Sequence, residues 1–207
     1  MKQFWDERYG QSEYAYGEQP NNFFRQQLEM IRPGKLLMPA EGEGRNAVYA
    51  ATLGWDVFAF DQSVEGQKKA KKLAQLKGVE INYIVNELQD LPYAPTSFDA
   101  MGLIYAHFPA AKKSEYNKAL SFFLKPGGVL IFEAFSKRNL AYRAKNEKVG
   151  GPSELDMLFS KEELLNDFAN FDISYIQEEE VELSEGLYHN GTGVVMRLVG
   201  RKKQDKR

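Results

Sequence analysis

The stretch Leu36–Asp61, LLMPAEGEGRNAVYAATLGWDVFAFD, sets Glu41-Gly42-Glu43-Gly44 directly after one apolar run and places an acid, Asp61, at the end of the next. Glycine reaches backbone angles closed to other residues and lets a ligand touch main chain without meeting a Cβ. An acid roughly 20 residues beyond such glycines stands where a carboxylate reaches ribose hydroxyls. Strand, glycine turn, helix, strand and acid in that order make a nucleoside-binding half-domain, with Gly42, Gly44 and Asp61 as its contacts.

Charge selects the nucleoside. A pyrophosphate wants G-x-G-x-x-G and a free helix N-terminus. Here Gly44 is followed by Arg45-Asn46-Ala47, and Glu41 and Glu43 flank Gly42. Two carboxylates in the turn repel a pyrophosphate and suit a ligand with a cationic centre and an ammonium group, which describes S-adenosylmethionine. Arg45 and Asn46 either contact the donor's carboxylate or simply begin the helix. Outside this turn, Trp5, Tyr9, Tyr14 and Tyr16 form an aromatic stripe, "YAHFPA" offers Tyr105, His107 and Phe108, and "EGLYHNGTG" offers His189. With two histidines and no cysteine in the chain, no metal site is expected.

These residues need elements to hold them. Asn21 or Asn22 can cap a helix over "FFRQQLEMI", which Pro33-Gly34 stops. "KLLMPA", "DVFAF", "INYIV", "SFDAMGLIYA" and "VLIFEAF" read as short buried strands. Helices alternate with them: about Asn46 to Leu53, "SVEGQKKAKKLAQLKG" ending at Gly78, and "SEYNKALSFFL" before a tight turn at Pro126-Gly127-Gly128. That alternation means an α/β fold with a mostly parallel sheet. "SKRNLAYRAKNEKVGGPSELD" reads as an excursion over the sheet edge, and Ser160 with Glu163 as a capping box. "DISYIQEEEVEL" and "VVMRLVGRK", joined by "SEGLYHNGTG", read as an antiparallel pair whose connection lies at the same sheet edge as the glycine turn. The expectation is one domain: an N-terminal cap over 1–32, a cofactor-binding core over 33–135, and an acceptor-side segment with a C-terminal hairpin over 136–207.

Composition narrows the classes. At 207 residues, 43% hydrophobic and 13% aromatic, the chain is ordinary globular material for one core. A net charge of -2 argues against a DNA-binding face, and no apolar run approaches the ~20 residues of a membrane span. The absence of cysteine and the polar, aromatic start "MKQFWDERYG" fit a cytoplasmic protein.

The whole pattern resembles a class I S-adenosylmethionine-dependent methyltransferase, nearest to the small tellurite-resistance (TehB-type) and thiopurine branch. "FWDERY" with "YAYGEQPNNFF" resembles its N-terminal cap, "PAEGEGRNAVYAA" its cofactor loop, "VFAFDQS" its ribose strand, and "LKPGGVLIFEAF" its turn and fifth strand. Two departures stand out: Pro39-Ala40 occupy the place of an earlier acid, and "VNELQDLPY" offers Glu87 in place of a frequent Asp. The resemblance implies a seven-stranded Rossmann-like sheet with the last strand antiparallel and helices on both faces. It implies that Ala40, Glu41, Gly42, Gly44 and Asn46 approach the donor's methionine part, Asp61 the ribose diol, Gln62 and Ser63 the ribose and adenine side, and Asn86, Glu87 and Leu88 the adenine. Trp5, Tyr9 and Tyr16 become a lid over the sulfonium, since aromatic faces attract cations. Tyr105, His107 and His189 are the candidate catalytic residues, facing a small-molecule acceptor such as a thiol or a chalcogen oxyanion (tellurite, selenite). A monomer or homodimer is expected. The alternatives are a methyltransferase for a protein or RNA partner, a catalytically silent S-adenosylmethionine-binding regulator, and, last, an NAD-dependent oxidoreductase.

Overall fold

The computed structural model describes residues 2–204. Its helices are α1 (Lys2–Tyr9), α2 (Asn22–Leu28), α3 (Arg45–Thr52), α4 (Val64–Lys77), α5 (Lys113–Ser121), α6 (Asn139–Arg143) and α7 (Lys161–Asp167). Its strands are β1 (Lys35–Pro39), β2 (Asp56–Asp61), β3 (Asn82–Val85), β4 (Phe98–Ile104), β5 (Leu124–Phe135), β6 (Phe171–Glu185) and β7 (His189–Lys202).

Alternation along the strands sorts the core. In β1, Leu36 and Met38 enter one apolar layer and Leu37 the other, the period of a strand covered on both faces. The first layer is roofed by α2, α3 and α4 through Phe24, Leu28, Ala47, Ala50 and Ala70. The second is roofed by α5 and α7 through Leu120, Leu164 and the adjoining Phe168. Helices therefore cover both faces. Strand order is β3-β2-β1-β4-β5-β7-β6, with β1 to β5 parallel and β7 antiparallel to both neighbours. The expected seven-stranded sheet forms, and the order reverses between β1 and β4. A crevice opens at the carboxyl ends of strands at such a switch point.

Local signals set the element ends. Asn21 caps α2, its side chain accepting from the Phe24 amide at 2.9 Å. Ser63 caps α4, which closes on Gly78, and Ser160 with Glu163 forms the capping box at α7. Three segments differ from their sequence reading. The β6–β7 ladder runs on to Glu185↔His189, so only residues 186–188 make the turn and His189 is the first residue of a strand. "SEGLYHNGTG" looked like a loop because of its glycines, but these serve packing: a Cβ on Gly193 would stand 3.0 Å from Val149 and 3.1 Å from Asn139. The polar stretch after β5 packs back on the sheet as well as reaching the strand ends, where Arg143 and Met157 line a cavity. Its helix α6 lies against β7, and Asn139 Oδ1 accepts from the Val194 amide at 3.0 Å. The turn at Pro126-Gly127-Gly128 is absorbed into β5, where the β4–β5 register slips between Phe98↔Leu124 and Ala100↔Val129. Among the described residues no helix is long and apolar enough to cross a membrane.

Gly44 caps α3 in the left-handed region at φ +85°, and a Cβ there would stand 2.5 Å from the Cβ of Ala70 on α4. Gly44→Ala should cost about 2–4 kcal/mol, the sum of backbone strain and overpacking. Pairing it with Ala70→Gly should recover the clash but not the strain, so equilibrium unfolding of the double variant should show a smaller loss than the two single losses added together.

Candidate functional site

Ala40 and Tyr105 end the adjacent strands β1 and β4 with φ of +51° and +52°. Neither is glycine, and both line a cavity of about 820 Å³ at the carboxyl ends of the strands. Backbone strain of this kind clusters at functional sites, and ligands of α/β sheets bind at the switch point. The ends of β2 and β3 wall one side with Asp61, Gln62, Asn86, Glu87 and Leu88. The ends of β4, β5 and β7 wall the other with Tyr105, His107, Phe108, Phe135 and His189. From the N-terminal cap, Trp5, Tyr9 and Tyr16 face the same space. Tyr14 does not join them, because its hydroxyl turns to the carbonyl of Lys69 on α4 at 3.2 Å.

On the β2 side, Asp61 is buried and organises the turn. Its Oδ2 accepts from the Gly42 amide at 3.1 Å and its Oδ1 from the Ser63 amide at 2.9 Å. Burial outweighs those bonds and raises its pKa to about 6. Glu41, Gly42, Gly44 and Ser63 do not line the cavity; each is taken up by the protein. Glu41 Oε1 accepts from the amides of Asn46 and Ala47 at 2.9 and 2.7 Å, filling the N-terminus of α3, where helix dipole and free amides favour an anion. Desolvation in the turn pushes this carboxyl up to about 7, against the pull of the Ala47 amide and Arg45. Glu43 is held by Lys69 at 2.8 Å and by the Ala15 amide at 2.8 Å. Gly42, at φ +61°, has no room for a Cβ because the Tyr9 hydroxyl would lie 2.5 Å away. Ser63 Oγ donates to Asp6 at 2.6 Å, fastening α1 to the start of α4. Asn86 donates through Nδ2 to the Asp90 carbonyl at 2.7 Å, which holds the loop after β3, and exposed Glu87 bonds with Gln89.

On the opposite wall the two histidines have different surroundings. His107 is committed to main chain at both nitrogens: Nε2 accepts from the Phe135 amide at 3.3 Å, leaving Nδ1–H for the Met157 carbonyl at 3.1 Å. Burial depresses its pKa to about 4. It joins β5 to the segment that follows α6 and has no nitrogen to spare. His189 has Nδ1 2.9 Å from Glu185 Oε2, while no described residue bonds Nε2. Its ring sits between Tyr16 and Tyr105, centroids 4.4 and 4.5 Å away, with Phe135 edge-on at 5.1 Å. Burial lowers its pKa, opposed by Glu185. The Tyr105 hydroxyl is buried with no well-aligned hydrogen-bond partner among the described residues, and burial, with the Glu133 carboxylate nearby, raises its pKa well above the phenol range.

Arg45 and Asn46 line the cavity and also build it. Arg45 meets Glu185 at 3.0 Å, and Asn46 Oδ1 accepts from the Asn21 amide at 2.8 Å. Burial alone would raise the Glu185 carboxyl; the Arg45 charge and the bonds from His189 and Arg45 prevail and hold it at about 2. Sequence reasoning did not single out Glu185. Its signal was the spacing E-G-L-Y-H, which across a three-residue turn places acid and histidine opposite each other on paired strands. Arg8, Arg143 and Met157 were missed as well; their carriers, α1 and the segment around α6, have no strong pattern of their own.

The raised acids have a measurable sign. A carboxyl whose folded pKa exceeds its unfolded value keeps its proton longer in the folded state, so stability falls as pH rises between the two values. For Glu41 that window runs from its ordinary 4.5 to about 7. Glu41→Gln can still accept from both amides but cannot ionise. Its stability relative to wild type should rise by about 2–3 kcal/mol between pH 5 and pH 8. Denaturation of both proteins across that range reads it, and a parallel pH response would sink the assignment.

Residues 37–132 match a family described as a methyltransferase domain. A demethylmenaquinone methyltransferase from Renibacterium salmoninarum is 34% identical over 108 residues, 50% of this chain and 43% of that protein, so the match spans less than half of that curated relative's length. The structure solved for the conversion of a disulfide bond into a thioacetal group during echinomycin biosynthesis superposes with a TM-score of 0.79 at 19% identity, over 100% of this chain and 93% of that one. TehB from Haemophilus influenzae superposes with a TM-score of 0.70 at 16% identity, over 98% of this chain and 67% of that one. The two structural likenesses carry the fold, and the sequence match makes residues 37–132 similar to a methyltransferase domain.

Proposed function

We propose that this protein transfers a methyl group from S-adenosylmethionine to a small organic acceptor. The observation that carries the reading is a single cavity of about 820 Å³ shared by the ends of β2 and β3 and the ends of β4, β5 and β7. That volume lies in the upper part of the roughly 300–1,000 Å³ range of ligand pockets and has room for a donor and a small partner. When bound, the donor supplies an electrophilic methyl group on a sulfonium. The chain's part is to bind, orient and exclude water.

The residues present fit such a donor. Asp61, ionised at neutral pH with a pKa of about 6, offers a carboxylate to a ribose diol. Gln62, Asn86, Glu87 and Leu88 lie where the adenine and ribose side would be received. Stacked Trp5 and Tyr9, centroids 5.3 Å apart, together with Tyr16 present aromatic faces suited to a cation. A dinucleotide is disfavoured on a physical ground: the N-terminus of α3, which would receive a pyrophosphate, already holds the Glu41 carboxylate. The resemblance to the tellurite-resistance and thiopurine branch supports a soft acceptor. The apolar surface of Phe108, Tyr116, Phe135 and Met157 suits an organic molecule, such as a thiol, better than a bare oxyanion like tellurite. His189 is the residue that contacts it.

Calorimetric titration tests the donor assignment. S-adenosylhomocysteine should bind in the micromolar range and NAD not measurably; NAD binding as tight as S-adenosylhomocysteine would overturn the reading. Asp61→Asn keeps one acceptor for the turn and should weaken S-adenosylhomocysteine by about 1.5–3 kcal/mol. Because the ionised form is the one that binds, wild-type affinity should fall as pH drops below about 6.

A further inference from the structure

Building on the methyltransferase reading, we infer that Glu185, anchored by Arg45, positions His189 as the general base for an acceptor that arrives protonated, an aromatic hydroxyl or thiol. The geometry is a chain of contacts. The Arg45 guanidinium meets Glu185 Oε2 at 3.0 Å, the same oxygen stands 2.9 Å from His189 Nδ1, and Asn21 Nδ2 donates to Glu185 Oε1 at 3.3 Å. A carboxylate on Nδ1 fixes the tautomer with its proton there, so the lone pair is on Nε2. No described residue hydrogen-bonds Nε2, and His189 lines the cavity. Carboxylate, imidazole and an open nitrogen in line are the arrangement by which a buried acid orients a histidine base.

The surroundings favour a neutral ring over an imidazolium. The charged and titratable groups around it are Glu185 on β6, Arg45 on α3, Arg8 and Tyr16 of the cap, and Tyr105 and His107 after β4. Beyond Asn21 lies Glu133 of β5, its Oε1 2.6 Å from the Asn21 amide group. Burial and the two arginines oppose a second positive charge, and Glu185 only partly compensates. A neutral base serves an acceptor with a proton to lose; an oxyanion would need the cation instead. His107 cannot substitute, as both its nitrogens are engaged. Tyr105 and Phe135 stand against His189, and Phe108 lines the same cavity, aromatic surface that matches a planar apolar body.

The step balances simply. The acceptor's oxygen or sulfur forms its bond to the methyl carbon as the S–CH3 bond of the donor breaks, the electron pair stays on the donor's sulfur, and the acceptor's proton passes to Nε2 and on to solvent. Arg45 and Glu185 touch no reacting atom and act through the imidazole as positioning residues.

The test compares two acceptors that differ in acidity, with the full chain and S-adenosylhomocysteine formation as readout. At about pH 8, 4-methoxyphenol is protonated and needs a base, while 4-nitrophenol is largely ionised and does not. Glu185→Gln and His189→Asn should each lower kcat on 4-methoxyphenol at least about tenfold more than on 4-nitrophenol, and leave S-adenosylhomocysteine affinity within about twofold. Glu185→Asp, which keeps the charge, should restore part of the loss. Wild-type kcat/KM on 4-methoxyphenol should be flat above about pH 7, whereas the His189→Asn profile should climb toward the phenol's own ionisation. Equal losses on both phenols would reduce the trio to packing and overturn the inference. Turnover of selenite with none of any phenol or of thiophenol would overturn it too, while leaving methyl transfer standing. Failure of the wild type to bind S-adenosylhomocysteine would overturn the underlying reading itself.

Discussion

The buried contact between Arg45 and Glu185 is the point on which the other parts of the site bear. The two residues are 140 positions apart in the chain and 3.0 Å apart in the fold. Withdrawing two charges from water costs several kcal/mol per ion, and attraction alone rarely offsets it without further hydrogen bonds. Here those bonds exist: Arg45 also donates to the Tyr16 carbonyl at 3.3 Å, and Glu185 receives both His189 and Asn21. Asn21 reaches onward to Glu133, whose other oxygen is held by Arg197 at 2.6 Å. The N-terminal cap, the start of α3, β5 and the tip of the β6–β7 hairpin are thereby held in one register. Such a network contributes less to net stability than to uniqueness, since any member lost leaves another charge buried and unpaired.

The same logic explains the acids of the glycine turn. Glu41 and Glu43 look like ligand groups in the sequence, yet each is consumed by the protein, one by the amides of α3 and the other by Lys69. A phosphate-binding turn leaves its helix N-terminus open for the ligand; this one carries its own anion. What the turn offers the cavity is the Asp61 carboxylate and the strained main chain at Ala40. The N-terminus of α3 is thus filled by a side chain of the protein itself.

How far the sequence was legible follows from the range of the interaction concerned. The strands, the helices that alternate with them and their caps are written in spacings of two to four residues, and Asn21, Ser63, Gly78 and Ser160 act where local rules put them. The cavity residues at the ends of β2, β3 and β4 follow from topology, because a parallel sheet brings strand ends together. Partners did not show. Nothing near Arg45 announces Glu185, and nothing near Glu43 announces Lys69, since those pairs exist only after the chain has folded. The length of the hairpin was hidden because Gly191 and Gly193 suggest a loop until Asn139, Asn146 and Val149 are seen packed on them. α1 was obscure for a different reason: as an isolated eight-residue helix it would be marginal, and it is held by Asp6 on Ser63 and by buried Tyr9.

The hairpin has a consequence for how the chain behaves among its own copies. β6 is fifteen residues long and lies at the end of the sheet, bonded along one side to β7. A long strand with an unpaired side is a template on which another strand can grow. Glu178, Glu179, Glu180 and Glu182 follow one another along it. Two such strands laid side by side in opposite directions would bring carboxylate against carboxylate, and like charges directly opposed destabilise a ladder. At neutral pH the run EEEVE therefore terminates the sheet as effectively as a covering helix would.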